Sequence, residues 1–173
     1  MGQELPMGDI SSAELVYGYG ESGPLTLSPF YGAVTLSITE TMNDVQEEAH
    51  GDAPVDSVKG GTVIELTCPM ARSSLDQLKV AIDGPISGNE ITIKNKAGCN
   101  VRDRAKAVVI KPMCDGVPSS DKSGWIHLYH CFPYRAIELT YDRSTQRVFN
   151  VIFKVFVSLE SGQVGEFGTI GVN

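Results

Sequence analysis

Residues 148–159 read VFNVIFKVFVSL, and this stretch decides the fold class. Phe149, Val151, Phe153, Val155, Val157 and Leu159 fall on one side of an extended chain, opposite Val148, Asn150, Ile152, Lys154, Phe156 and Ser158. Side chains of a strand alternate between faces, so the pattern specifies a strand with one wholly apolar face. Twelve residues would extend about 40 Å, longer than most strands.

The same period of two recurs upstream. Residues 32–39 (GAVTLSIT) place Val34, Leu36 and Ile38 on one face and Thr35, Ser37 and Thr39 on the other. Residues 13–19, 61–67, 90–94, 105–111 and 125–141 are further strands, the last broken near Pro133, and Gly and Pro clusters separate them. One segment departs from the period. Over residues 69–82, Ala71, Leu75, Leu78 and Ile82 recur at helical spacing, with Pro69 suited to a first turn and Gly84-Pro85 as a stop. The fold class is therefore mainly β with one α-helix, an antiparallel β-sandwich or barrel-like arrangement. The 173 residues form a single domain.

Composition narrows the classes further. Apolar content of 42% argues against disorder. No apolar run approaches the roughly 18 residues of a membrane helix, so no membrane insertion is expected. Residues 1–10, MGQELPMGDI, have neither the positive end nor the apolar run of a signal peptide, and Pro6 stands where a myristoylation motif needs Ser or Thr. Cys68, Cys99, Cys114 and Cys131 lack CxxC spacing and read as small hydrophobes in a reducing compartment. A zinc site from Cys114, His127, His130 and Cys131 is disfavoured because residues three apart on a strand point to opposite faces.

Charge is distributed unevenly. The first 58 residues hold ten acids (Glu4, Asp9, Glu14, Glu21, Glu40, Asp44, Glu47, Glu48, Asp52 and Asp56) and no Lys or Arg; the remaining 115 hold all 14 bases and 11 acids. Net −7 is thus −10 joined to +3. Residues 40–61 read as an extended acidic loop or hairpin with no base before Lys59. Residues 94–111 read as a basic loop or arm carrying Lys94, Lys96, Arg102, Arg104, Lys106 and Lys111. An acidic arm and a basic patch on one molecule can meet between copies, and unlike surfaces meeting head to tail make rings or filaments.

The catalytic patterns fail on context. Residues 18–23 match GxGxxG, but Pro24 and Pro29 follow where a dinucleotide site needs a helix, so the glycines read as a bend between strands. There is no Walker loop, GxSxG elbow or HExxH helix. Glu47 and Glu48 are adjacent and face opposite sides of a strand, whereas Glu40, Asp44 and Glu48 would form a negative stripe along one side. Ser123 and His127 lack a third partner. No enzyme, cofactor or metal is expected from this inventory.

The Thr/Glu-rich strand leads into residues 40–61 (ETMNDVQEEAHGDAPVDSVKGG), with Gly51, Pro54 and Val55 in a Gly-x-x-Pro-Val pattern. Gly60-Gly61, a β-branched strand and an amphipathic helix follow. This succession resembles the major tail tube proteins of long-tailed bacteriophages. The resemblance implies a virion subunit made in the host cytoplasm, forming six-membered rings that stack into a hollow tail for passage of double-stranded DNA. It further implies tape-measure, terminator and baseplate or tip proteins as partners. Under it, Glu40, Asp44, Glu47 and Glu48 are candidates to face the lumen, where an anionic wall would not hold DNA. Asp52, Pro54 and Asp56 are candidates for a loop reaching the next ring, and Lys94, Lys96, Arg102, Arg104 and Lys106 for its acceptor surface.

Two other readings compete. A tail terminator, connector or secretion-type tube protein would share the fold but differ in stacking. A small-ligand-binding β-sandwich would use Trp125, His127 and Tyr129, which share one strand face.

Overall fold

A computed structural model describes residues 13–27, 30, 32–46, 53–70, 74–94, 97–114, 116–134 and 149–171, with the side chains of Ile86 and Cys114 outside that description. The strands are β1 (Ala13–Tyr17), β2 (Leu25–Leu27), β3 (Thr35–Gln46) and β4 (Pro54–Met70), followed by helix α1 (Leu75–Ile82). After the helix come β5 (Ile86–Ser87), β6 (Glu90–Ile91), β7 (Lys106–Cys114), β8 (Val117–Pro118), β9 (Ile126–Pro133), β10 (Phe149–Phe156) and β11 (Gly168–Ile170). Nine strands form one antiparallel sheet in the order β2-β1-β7-β9-β10-β4-β3, with β11 beside β9 and β8 beside β7; β5 and β6 pair separately.

The mainly β, antiparallel, one-helix expectation holds, but the sheet is not closed into a barrel. It is a single curled layer. Tyr17 of β1 and Phe153 of β10 bring their ring centroids to 5.7 Å although β7 and β9 lie between them. Three strand spacings would separate them by about 14 Å in a flat sheet, so the sheet must bend. Phe30, beyond β2, makes a lone bridge to Met70 of β4, drawing the two flanks together. The concave side holds the core, where Leu15, Leu27, Leu66, Cys68, Met70, Val108, Val151 and Phe153 are almost fully buried.

Strand β10 carries the deciding alternation: Phe149, Val151, Phe153 and Val155 are buried and Asn150 and Lys154 exposed. It ends at Phe156, short of the twelve residues expected; Leu159 is exposed, and Ser158 instead pairs its backbone with Glu166 and Gly165. The GxGxxG glycines form the turn from β1 to β2, and Gly18, Gly20 and Gly23 all take positive φ. At Gly168 an added Cβ would meet the His127 carbonyl oxygen at 2.1 Å, so only glycine lets β11 lie against β9.

The helix begins later than the sequence pattern suggests. Pro69 does not open a helix; it lies within β4, opposite Asn150 of β10. The N-cap is Ser74, whose Oγ accepts from the Gln77 N–H, and Asp83 closes the helix in the left-handed region ahead of Gly84-Pro85. The buried face is Gln77, Val80 and Ala81, whereas Leu75 is exposed; Ala71 lies outside the described residues. Residues 105–111, read both as a strand and as part of a basic arm, supply the strand: β7 starts at Lys106 inside the sheet, and Val108, Val109 and Ile110 are buried there. None of the helices among the described residues is long and apolar enough to cross a membrane.

Candidate assembly interface

The acidic segment is a hairpin rather than a loop. Strands β3 and β4 run on past the core as a two-stranded ribbon, and every described residue of 37–46 and 54–61 is exposed. At the usual rise the exposed part of β3 is roughly 30 Å long. Ile38, Met42, Val45, Val55, Val58 and Val63 are each between 42% and 57% exposed, which leaves apolar side chains in water on both faces. A ribbon of two strands is marginal in water unless something packs on it.

Among the described residues both ribbon edges are open: β3 ends the sheet, and β10 pairs with β4 only from Ile64 to Met70, so residues 54–63 have a described strand partner on the β3 side alone. β3 carries no Lys, Arg or Pro from Thr35 to Gln46, the residues that ordinarily blunt an edge against further pairing. At the far end of the sheet, β2 is three residues long.

Register fixes the ribbon faces. Directly paired residues share a face, and both irregularities insert their extra residue into β4, at Gly60 and Val55, so alternation along β3 is unbroken. One face carries Leu36, Ile38, Glu40, Met42 and Asp44 with Leu66, Ile64, Lys59 and Ser57. It is continuous with the core. The other carries Thr35, Ser37, Thr39, Thr41, Asn43 and Val45 with Thr67, Glu65, Val63, Val58 and Asp56.

Glu40 and Asp44 therefore do share a face, as their spacing requires. Neither is bare: Glu40 is salt-bridged to Lys59, and Asp44 Oδ1 accepts from the Ser57 hydroxyl at 2.6 Å. Asp56 accepts from the Ser57 N–H, and Pro54 opens β4 opposite Gln46. Glu47, Glu48 and Asp52 lie outside the described residues.

The basic candidates separate into two places. Lys94, Arg104 and Lys106 line a cavity of about 620 Å³ between α1 and the β1–β2 end of the sheet, together with Lys79, Asp76 and Asp83. Arg104 is bound to Asp83 and lies over the Phe132 ring at 5.0 Å; Lys106 is bound to Glu21. Tyr17 floors the cavity, and burial, with the Asp83 charge second, pushes its phenol well above the ordinary range. Arg102 stands apart, beside His130, Leu159 and Glu160. Lys96 lies outside the described residues.

On the convex side, Tyr19, Trp125, His127 and Tyr129 form a row. The centroid distances are 6.4 Å for Tyr19–Trp125, 5.7 Å for Tyr19–His127 and 5.2 Å for His127–Tyr129, all edge to face. These rings pack on one another and do not lie flat as a platform. Burial holds the His127 imidazole below its usual range. The parity argument against zinc does not hold here: a register shift between β7 and β9 lets Leu128 and Cys131, three apart, both enter the core. Among the described residues, no three His, Cys, Asp or Glu side chains converge as metal ligands.

No protein-family model matches the chain, and no curated protein does.

Proposed function

We propose that the chain is a self-assembling structural subunit whose ribbons pair edge to edge around a bore. The observation that carries this is the β3–β4 ribbon, exposed on both faces, with two unlike edges that are open among the described residues. Joining β3 of one copy to β4 of the next is a heterologous contact, which closes into a ring when the rotation between copies permits. Closure removes the free edges of the ribbon and sets a neighbour's strand beside its exposed side chains. The resemblance to phage tail tube proteins supplies the rest of the reading: six-membered rings, stacking into a tube, and duplex DNA as cargo.

The cavity beside α1 fits a second contact, between rings. Lys79, Lys94, Arg104 and Lys106 outnumber Asp76 and Asp83 along its wall, and the chain's densest run of acids lies at 44–56. Complementary charge of this kind fixes register between copies more than it adds affinity.

Replacing residues 40–62 by Asn-Gly tests the proposal, because Thr39 and Val63 are directly opposite and that dipeptide suits a two-residue hairpin turn. The core begins at Leu36 and Ile64, so the variant should fold as a monomer while the full chain gives rings and tubes by negative-stain microscopy. Tubes from the shortened variant would overturn the reading.

A further inference from the structure

We infer that the bore is lined by the ribbon face that carries Thr35, Ser37, Thr39, Thr41, Asn43 and Val45 with Val58 and Val63, and that Glu40 and Asp44 face away from it. The inference rests on the assembly just proposed and specifies which surface meets the cargo. It follows from where the body of the subunit lies. Leu36, Ile38, Leu66 and Ile64 share the face of Glu40 and Asp44, and the same face of the sheet carries the core and, packed with it, Val80 and Ala81 of α1. In a ring whose bore is walled by ribbons, the subunit bodies stand outside the wall. The core side must then look outward and the opposite face inward.

The chemistry of the inward face suits a polyanion that has to move. Its paired residues contain no Lys or Arg; the charges are Glu65 and Asp56. Glu65 accepts from the Tyr134 hydroxyl, and the nearest base in register is Lys154 of β10, directly opposite Glu65. Retention of DNA grows with each phosphate neutralised by a fixed cation, through release of counterions. A wall of short hydroxyls and an amide interleaved with Val45, Val58 and Val63 offers phosphate oxygens only transient hydrogen bonds and none of that release. The ribbon's own cation, Lys59, lies on the outward face, salt-bridged to Glu40. Outward placement puts Glu40, Met42 and Asp44 against the bodies of neighbouring copies, where Met42, now 57% exposed, becomes covered.

Single heavy atoms report the radius directly. In a background with Cys99→Ser and Cys114→Ser, Thr39→Cys and Asp44→Cys subunits are reacted with a mercurial, assembled and imaged by cryo-electron microscopy against unlabelled tubes. Thr41→Cys and Met42→Cys form a second pair, should either of the first fail to assemble. Mercury at 39 or 41 should lie at a smaller radius than the ribbon backbone, and mercury at 44 or 42 at a larger one. The reverse order overturns this inference and leaves the assembly standing. Absence of rings or tubes from the unmodified chain overturns both.

Discussion

Glu14 and Lys111 stand directly opposite each other on β1 and β7, with Lys111 Nζ 3.5 Å from Glu14 Oε1. One comes from the wholly acidic first third of the chain and the other from the basic remainder. Glu21–Lys106 and Glu40–Lys59 repeat the relationship. The uneven charge along the sequence is thus matched in part inside one subunit and is not all left over for contacts between copies. Lys111 also rests over the Trp125 ring at 4.8 Å.

Reversing one charge should therefore destabilise the fold. Lys111→Glu places like charges directly opposite and removes the contact with Trp125, for a loss of about 1–2 kcal/mol in urea unfolding. Adding Glu14→Lys should restore only part of it, because a lysine at position 14 has no established place on the indole. Full recovery, or no loss from the single change, would show that the pair is idle.

His127 makes stability depend on pH. Its folded pKa is depressed by burial, so the unfolded chain takes up the proton first. That stability is present above the unfolded value of about 6.5 and is lost as pH falls toward the lower folded value. His127→Phe keeps a ring between Tyr19 and Tyr129 and should flatten the decline measured by thermal melts from about pH 7 to 5. An unchanged decline would place its origin elsewhere.

The thiols should divide by burial. Cys68 is fully buried and its thiol is pushed up to about 12, and burial raises Cys131 further still, whereas Cys99 is exposed. Peptide-resolved alkylation at pH 8 should modify Cys99 promptly and reach Cys68 and Cys131 only at the rate of unfolding. Prompt labelling of Cys68 would contradict the packing of β4 against β10.

Much of the core was legible because burial on one face prints a period of two. That is why β1 and β10 follow from Leu15, Val151 and Phe153. The ribbon was legible only as a loop or hairpin, for the opposite reason: exposed on both faces, residues 40–46 and 54–61 have no apolar alternation to decide between them. Spacing alone put Glu40 and Asp44 on one face, but the partner residues Lys59 and Ser57 depend on hairpin register and the extra residue at Gly60. Pro69 read as a helix start because β4 continues through it by pairing with β10, a distant segment. The shared core direction of Leu128 and Cys131 comes from a bulge that carries no sequence mark.

Amide hydrogen exchange across β3, followed with concentration, tests most directly whether copies cover the ribbon edge. Amides of residues 37–46 that point away from β4 should exchange quickly in dilute protein and become protected as the mass rises above the 18.6 kDa of one chain. Exchange that stays fast at every concentration, with the mass fixed at one chain, would contradict assembly through the ribbon.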